Sequence, residues 1–448
     1  MEVQVQRSFT LFPTGAGEAT PGEPYELPLT IFDRCTVDIH IAVVYAFSPP
    51  TPSNPALLNA LSQTLCLFPT LTGELCHDSS GLPCFLVGGQ GGGALVVEAT
   101  VASTLSDHLP LEPSPELLKL HPPTAEPAHL LQVQLNRFRC GGLAVGLSCH
   151  HKVADGASMG AFLAAWGRAA RGIPASAPPA TLFDRSWIRP RSPPRCEFEH
   201  WGTDFIRLND GDDDDDGRRQ HYSSNNSVDP SRITNFLLHY SADFISKKLK
   251  PATNFKYTTF ETLLAHLWRK ITAARGLAGD LETTVRVTVN VRQRMNPPAP
   301  ANYFGNLVLN AYAKAKAATL AVAEGGLEAA ARMVHEAIAK ADGEYAQSMV
   351  DFGALHEPEG DSLVPVYGEE GNVLSPVVDA ESWLRLRFEE MEVGGGGKLC
   401  GFLPTWVPLE GLLIFLPAAG EVTGGVDVMV SMLEEQAEAM KRMSHSLD

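Results

Sequence analysis

The sequence has few basic residues and no long apolar run, and each absence excludes a class of protein. Its 35 lysines and arginines are outnumbered by 52 aspartates and glutamates, which gives a net charge of -17. A polyanion would be repelled by this excess, so no nucleic-acid partner is expected. Apolar stretches such as "LAVGL" at 143–147 are far too short to cross a bilayer. Because no basic segment followed by an apolar one opens the chain, we expect a cytoplasmic protein without a membrane partner.

The eight cysteines include no C-x-x-C pair, and most of them lie in apolar segments. We interpret them as reduced core residues rather than zinc ligands or disulfides, and we expect no metal site. Part of the acidic excess is concentrated in "NDGDDDDDGRRQ" at 209–220. Like charges repel one another in such a run, which predicts a solvated loop.

The chain of 448 residues is about three times the length of a typical domain, which favours two domains. Residues 171–230 are rich in Pro, Ala and Ser and lack sustained periodicity, so they are predicted to be a crossover linker between residues 1–170 and 231–448. Strand and helix patterns mix on both sides of the linker. An α/β (α+β) protein of two sheet-and-helix halves follows.

Two helix starts carry specific signals. Asn54 is predicted to be an N-cap with Pro55 at the first helical position. Thr258 and Glu261 have the spacing of a capping box ahead of the apolar face of "TFETLLAHLWRKI".

The segment "HHKVADGAS" at 150–158 lies on a turn between a predicted buried strand and a predicted helix, where rigid elements expose side chains for chemistry. Asp155 either orients an imidazole as a triad acid does or holds the loop through an arginine elsewhere. Adjacent histidines point apart and no third ligand has zinc spacing, which disfavours metal binding. We identify no Gly-x-Ser-x-Gly elbow that would supply a serine nucleophile, so we expect the substrate to supply the nucleophile.

"HHKVADG" resembles the His-x-x-x-Asp-Gly motif of the plant BAHD acyltransferases, which use acyl-coenzyme A donors. "LPLTIFDR" (27–34), "FPTLTGEL" (68–75), "NVRQRMNPPAPANYFGN" (290–306) and "PLEGLLIFLPA" (408–418) resemble further family segments in the same order. The resemblance covers nearly the whole chain. It implies two similar chloramphenicol-acetyltransferase-like domains, each a mixed sheet with flanking helices, with a solvent channel between them. It also implies that a segment at roughly 375–405 crosses to the first domain.

The resemblance assigns the catalytic base to His151, while strand alternation turns His150 away. It gives Asp155 a structural ion pair, for which Arg292 is the first candidate and Arg294 the second. Acyl-coenzyme A is then the co-substrate, and no permanently bound cofactor is implied. Tyr303 to Asn306 are candidates for stabilising the oxyanion, or else form a packing turn. Thr258 and Thr259, at a helix start, are candidates for contacts with coenzyme A.

The family's Asp-Phe-Gly-Trp-Gly motif is altered in this chain. The letters "DFG" do occur at 351–353, but they end a predicted helical stretch, so we interpret them as a chance match and not as the family motif. The expected position reads "MEVGGGGKL", where Glu392 and Val393 replace Asp and Phe. The resemblance makes this motif structural, so Glu392 is expected to be structural only, in a looser loop with activity retained.

Within the family, the chain resembles the grass hydroxycinnamoyltransferases that acylate agmatine, putrescine or tryptamine. Three functions remain open: transfer of a hydroxycinnamoyl or related aromatic acyl group to an amine, an O-acyltransferase that makes esters, and a non-catalytic relative. Because two linked halves already close the channel, a monomer is expected.

In "SPVVDAESWLRLRF" (375–388), Val378 and Ala380 alternate with acidic and polar residues, which predicts a strand. Asp379 and Glu381 then project from one face, about 6 to 7 Å apart. They are either two solvated carboxylates or, if this face lines the acceptor mouth, a site that attracts a cationic amine and holds its distal charge.

Overall fold

The computed structural model describes residues 1–14, 23–89, 92–123, 129–173, 183–207, 227–356, 363–366, 371–418 and 424–447. The acidic run at 209–220, predicted to be a solvated loop, lies outside these residues. Among the described residues, no helix has both the length and the apolar character needed to cross a membrane.

A six-stranded mixed sheet forms the centre of the first half. Its strands are β1 (Val3–Leu11), β3 (His40–Phe47), β6 (Ala94–Val101), β7 (Leu131–Phe138), β8 (Leu143–His150) and β15 (Leu399–Pro404). Their spatial order is β1-β6-β7-β8-β3-β15. Every residue of β8 is buried, as expected for the apolar strand that leads into the histidine segment.

A second six-stranded mixed sheet forms the centre of the other half. Its strands are β10 (Ile233–Tyr240), β11 (Glu282–Asn290), β12 (Val308–Lys316), β14 (Val377–Ser382), β16 (Leu412–Pro417) and β17 (Val426–Leu433). Their spatial order is β10-β17-β16-β14-β11-β12. The two sheets confirm the predicted architecture of two sheet-and-helix halves.

One strand from the carboxyl-terminal part of the chain joins the first sheet. β15 pairs antiparallel with β3, with Phe402 opposite Tyr45. β14 stays in the second sheet, parallel to β11 and β16. Within the segment predicted to cross at roughly 375–405, residues 399–404 are therefore the ones that pair with the first sheet.

Five short strands make two smaller sheets. β2 (Tyr25–Pro28), β5 (Pro83–Val87) and β4 (Glu74–His77) form a three-stranded sheet in that order. β9 (Phe205–Arg207), from the predicted linker, pairs with β13 (Leu363–Pro365).

The helices pack against the two large sheets. They are α1 (Ile31–Arg34), α2 (Asn54–Leu65), α3 (Gly156–Ala170), α4 (Ala242–Phe244), α5 (Thr259–Ala274), α6 (Ala317–Leu320), α7 (Gly326–Lys340), α8 (Gly343–His356) and α9 (Glu434–Met443). The capping box of Thr258 and Glu261 at the start of α5 is confirmed. The N-cap predicted for α2 is wrong by one residue: the Ser53 hydroxyl accepts from the amide of Ala56, whereas Asn54 accepts a hydrogen bond from Arg137.

Glycines on α3 let a segment from the second half of the chain cross closely. A β-carbon at Gly160 would lie 2.0 Å from the carbonyl oxygen of Leu386, and one at Gly167 would lie 2.8 Å from the backbone nitrogen of Glu392. Side chains at these two positions would displace the crossing segment. The small residues of the histidine-bearing half therefore fix how the two halves meet.

The cysteines depart from the expected core placement. All eight are free thiols, but only Cys35, Cys84 and Cys149 are buried. The interpretation as core residues is wrong for four exposed cysteines: Cys66, Cys140, Cys196 and Cys400. These four lie at the ends of elements or in loops, where local hydrophobicity does not predict burial.

Candidate active site

His151 follows the last residue of β8, at the junction of the two halves. Its backbone N–H donates to the carbonyl of Ile39 over 2.9 Å, which continues the pairing of β8 with β3. The side chain is partly exposed, and Nδ1 has no hydrogen-bond partner among the described residues. Burial lowers the pKa of His151 below its ordinary value, so the imidazole is neutral near pH 7 and able to accept a proton.

His150 has a different environment from its neighbour. It is buried, and its Nε2 lies 3.0 Å from a carboxylate oxygen of Asp38, whose other oxygen pairs with Lys152 over 3.0 Å. The His150 hydrogen bond lowers the pKa of Asp38 well below its usual range, and Lys152 adds to the effect. His150 is thus engaged in a local ion network.

Asp155 joins the histidine turn to the second half of the chain. Arg292 donates two hydrogen bonds to its carboxylate, over 2.6 and 3.0 Å, and the backbone amides of Ser158 and Leu307 each donate over 3.0 Å. Burial opposes ionisation of Asp155, but the charge and hydrogen bonds of Arg292 outweigh it and lower the pKa of the carboxyl. Arg294 instead donates to the carbonyls of Ile338 and Ala341.

Ser158 does not have the exposed turn position of an elbow serine, although residues 156–160 have the letters Gly-x-Ser-x-Gly. The serine lies in the first turn of α3 rather than on the preceding turn, and it is buried. Its hydroxyl donates to the carbonyl of Gly305 over 2.8 Å and accepts from Arg292 and from the Gly305 amide. The statement from the sequence that this motif is absent overlooked these letters and is wrong. The buried position and hydrogen bonds of Ser158 support the expectation that it is not the nucleophile, which stays a prediction.

Asn306 was predicted to bind substrate, but its amide nitrogen is engaged with the protein, whereas Oδ1 has no hydrogen-bond partner among the described residues. Nδ2 donates to the carbonyls of His151 and Lys152 and to Oδ1 of Asp33, each over 3.0 Å. Both amide protons are therefore used, and Asn306 has no donor left for an oxyanion. Asp33, itself buried, is paired with Arg185 over 2.8 Å.

Tyr303 keeps a free donor next to this network. Its hydroxyl is buried and has no hydrogen-bond partner among the described residues. Burial raises the pKa of Tyr303, so the hydroxyl stays protonated. A β-carbon at Gly305, where φ is +148°, would lie 2.6 Å from this hydroxyl oxygen. Glycine is therefore required at that position.

Thr258 and Thr259 lie at the start of α5, as predicted. The Thr258 hydroxyl donates to the Glu261 carboxylate over 2.8 Å and accepts from the Glu261 amide over 3.2 Å. Glu261 also accepts from His335. The Thr258 hydroxyl proton is thus committed to the capping box, and a contact of these two threonines with coenzyme A stays a prediction.

Asp379 and Glu381 project from one face of β14, but only one of the two carboxylates is ion-paired with an arginine. Asp379 is buried and accepts two hydrogen bonds from Arg286, over 3.2 and 3.0 Å. The solvated interpretation is wrong for Asp379, whose carboxylate is ion-paired with Arg286. Glu381 is half-buried and accepts from Nε1 of Trp383 over 3.0 Å. Burial and the Asp379 charge raise the pKa of Glu381 to about 7, against the opposing effects of Trp383 and Arg286.

The face that carries Glu381 turns toward the first half of the chain. Leu412 and Ile414, the partners of Asp379 and Glu381 on β16, belong to the hydrophobic core of the first sheet. Val378 and Ala380, on the opposite face of β14, belong to the core of the second. Glu381 therefore lies on the side of its sheet that faces the other half.

The altered glycine motif at 392–396 and the "DFG" at 351–353 both have structural contacts. Residues 351–353 are helical, and Asp351 accepts hydrogen bonds from the backbone amides of Arg191 and Arg195, which anchors the linker. Glu392 forms an exposed ion pair with Arg171 at the end of α3. Val393 is buried. Neither carboxylate contacts the histidine turn.

Sequence reasoning did not assign roles to Asp33, Arg185, Arg286 or Trp383. Asp33 lies in "LPLTIFDR", so its position in a family landmark was a usable signal. Arg185 and Arg286 had no such signal, because their partners Asp33 and Asp379 are distant in the sequence. Trp383 donates to Glu381, only two residues before it, so the strand alternation at 375–388 was a usable signal for this contact. Among the described residues, no cluster of three or more His, Cys, Asp and Glu side chains is arranged to hold a metal ion.

Comparisons with known proteins agree with this arrangement. A sequence profile of the Transferase family matches residues 1–447. Putrescine hydroxycinnamoyltransferase of Oryza sativa subsp. japonica is 37% identical and covers 100% of both chains. Tryptamine benzoyltransferase 2 of the same plant is 35% identical, covering 100% of this chain and 98% of the relative. Agmatine coumaroyltransferase-1 of Hordeum vulgare is 35% identical and covers 100% of both chains.

Solved structures show the same fold. Vinorine synthase superposes with a TM-score of 0.70 at 20% identity, covering 98% of this chain and 96% of that structure. TRI101 of F. graminearum, complexed with coenzyme A and deoxynivalenol, superposes with a TM-score of 0.70 at 18% identity, covering 93% and 97%.

The chain belongs to the Transferase family, and its predicted place among the BAHD acyltransferases is confirmed. It is an acyltransferase that uses acyl-coenzyme A as a co-substrate rather than as a bound cofactor.

Proposed function

We propose that this enzyme transfers a hydroxycinnamoyl or related aromatic acyl group from coenzyme A to an amine such as putrescine, agmatine or tryptamine. The observation that carries the proposal is the imidazole of His151, which lies at the junction of two sheets with a pKa lowered by burial and with no hydrogen-bond partner for Nδ1 among the described residues. The relatives named above, which act on putrescine, tryptamine and agmatine, support the acceptor class.

The reaction needs only one general base. The acceptor nitrogen attacks the thioester carbonyl while His151 takes its proton. The tetrahedral intermediate collapses, the carbon–sulfur bond breaks, and the coenzyme A thiolate leaves with the proton that His151 returns. Amide and free thiol are the products, without an acyl-enzyme. The buried hydroxyl of Tyr303 is the donor we assign to the oxyanion.

Asp155 and Asn306 act through the position of His151 rather than by contact with the substrate. Asp155 is held by Arg292, and Asn306 ties the carbonyl of His151 to Asp33. Both contacts hold the turn between β8 and α3 against the second half of the chain. We therefore assign a structural and orienting role to Asp155 and a positioning role to Asn306.

Glu381 is the carboxylate that we assign to the distal charge of a diamine. Asp379 is paired with Arg286, whereas Glu381 contacts only the neutral indole N–H among its described hydrogen bonds. Its position on the face of β14 toward the first half supports contact with an acceptor there. A bound ammonium group would stabilise the ionised form of Glu381.

The acceptor class is tested by incubating the purified protein with coumaroyl-coenzyme A and a panel of amines and alcohols while free thiol is followed. Thiol release with amines and amide products by mass spectrometry are expected. Esters formed from alcohols alone would identify an O-acyltransferase. Absence of thiol release with every acceptor would identify a non-catalytic relative.

The role of Glu381 is tested by Glu381→Gln, which keeps the hydrogen bond to Trp383 and removes the charge. The Michaelis constants for putrescine and agmatine should rise about tenfold, which corresponds to a loss of about 1.4 kcal/mol. The constant for tryptamine, which has no second charge, should change little. Glu390→Gln, a half-buried carboxylate of the same segment paired with Arg387, is the matched control. Equal effects on all three amines would reduce Glu381 to a packing residue.

We also propose that the enzyme works as a cytoplasmic monomer, because both halves of the site come from one chain. Light scattering tests the oligomeric state, and a fluorescent fusion tests the location. A dimer in solution would overturn the monomer proposal. A fusion protein confined to an organelle would overturn the cytoplasmic location.

A further inference from the structure

Two cysteines lie opposite each other in the small three-stranded sheet, outside the active site. Cys76 of β4 and Cys84 of β5 are register partners in an antiparallel hairpin. Their sulfur atoms are 3.0 Å apart. No other pair of thiols among the described residues has such a contact.

The backbone already has the geometry that a disulfide needs. Directly opposed residues of an antiparallel pair have Cα atoms about 4.5 or 5.5 Å apart. Both values fall inside the range of about 4.4 to 6.8 Å that disulfides span. The hairpin turn between β4 and β5 is closed by its own hydrogen bonds, from Asp78 to Leu82 and from Gly81 to Asp78. The bond can therefore form without rearranging the strands.

The two thiols differ in access. Cys76 is half-buried, whereas Cys84 is fully buried. Burial raises the pKa of Cys84 to about 12, and the neighbouring Cys76 thiol adds to the effect. A reagent from solution therefore meets Cys76 first, and Cys84 reacts second, from inside the hairpin.

We propose that Cys76 and Cys84 are a redox modification site, oxidised to an intramolecular disulfide by a small disulfide such as oxidised glutathione. The Cys76 thiolate attacks oxidised glutathione and releases one glutathione thiolate. Cys84 then loses its proton and attacks the Cys76 sulfur, which releases the second glutathione. Two protein thiols are oxidised, and one glutathione disulfide is reduced to two thiols.

The site adjoins β2, the strand that leads into α1 and Asp33. Cys84 pairs in register with Pro28 of β2, and the carbonyl of Pro28 accepts from Arg185 over 2.6 Å. Arg185 in turn holds Asp33, the carboxylate that binds Asn306. The disulfide would thus cross-link the small sheet next to the ion pair of Arg185 and Asp33.

The experiment treats the reduced, full-length protein with oxidised glutathione, blocks remaining thiols with an alkylating reagent, and digests with a protease that cleaves after glutamate. Cleavage after Glu74 and Glu98 isolates residues 75–98, which contain Cys76 and Cys84 as their only cysteines. We expect this peptide without alkylation and about 2 Da lighter than its dithiol form, because two hydrogens are lost.

Variants separate the paired reaction from chance oxidation. Cys84→Ser should trap a glutathione adduct on Cys76, and Cys76→Ser should leave Cys84 alkylated once the protein is unfolded. Cys66→Ser removes an exposed thiol elsewhere and should leave the disulfide yield unchanged. The proposal is overturned if the wild-type peptide keeps both thiols, or if a stable glutathione adduct on Cys76 forms instead of the internal bond.

Discussion

At the scale of single residues, neighbouring side chains of the same type have opposite roles because their partners differ. His151 has a lowered pKa and, within the part of the chain that the structure describes, no hydrogen-bond partner for Nδ1, whereas His150 is bound to Asp38. Asp379 and Glu381 differ in the same way, since Asp379 is ion-paired with Arg286. In each pair, we expect the reactive or binding residue to be the one that has no ionic partner among the described residues.

The charge of Glu381 gives a pH dependence with a definite sign. Because its pKa is about 7, the carboxyl is mostly neutral at pH 6 and mostly ionised at pH 8. The Michaelis constant for putrescine should therefore fall as the pH rises through about 7, measured from steady-state kinetics at each pH. Glu381→Gln should abolish this trend. If the Michaelis constant of the variant showed the same pH dependence, that dependence would arise from an ionisable group other than Glu381.

At the scale of elements, the turn between β8 and α3 depends on contacts from the second half of the chain. Asp155 caps α3, pairs with Arg292 and accepts from the amide of Leu307. The glycines of α3 admit the segment that follows β14. The position of the base is thus set jointly by a cap, an ion pair and a close crossing.

Asp155→Asn removes one partner of a largely buried ion pair. The free energy of unfolding should fall by about 3 to 5 kcal/mol, measured by urea denaturation, and activity should fall with it. The control is Glu392→Gln, which loses the exposed pair with Arg171 and should cost under about 1 kcal/mol. An Asp155→Asn protein of full stability without activity would favour a purely catalytic orienting role.

Gly160→Ala tests the close contact between α3 and the segment at Leu386, because the contact and helix propensity predict opposite changes in stability. Helix propensity alone predicts a gain of about 1 kcal/mol from this change. The β-carbon would instead lie 2.0 Å from the carbonyl oxygen of Leu386, and overpacking of this kind costs about 1 to 3 kcal/mol. The urea midpoint should fall, while Ala161→Ser on the exposed side of α3 leaves it nearly unchanged. A raised midpoint for Gly160→Ala would contradict the crossing.

At the scale of the whole molecule, the sequence was sufficient to predict the features that depend on local residue patterns. Apolar strands, the capping box of Thr258 and the turn bearing His151 and Asp155 follow from periodicity and motif. The pairing of Arg286 with Asp379 does not, because it depends on the register of β11 against β14, which are distant in the chain. The contacts of the Asn306 amide nitrogen could not be predicted for the same reason: its three acceptors come from two other segments, and only the assembled fold brings them together.

The two halves meet at His151, so the central claim is that this one imidazole is the base for acyl transfer. The most direct measurement is the turnover of wild type, His151→Ala and His150→Ala with coumaroyl-coenzyme A and putrescine, with circular dichroism to verify folding. His151→Ala should lose about 10² to 10⁴ in turnover, the range typical of a positioned base, while His150→Ala retains most of it. A folded His151→Ala protein with near wild-type turnover would contradict the account.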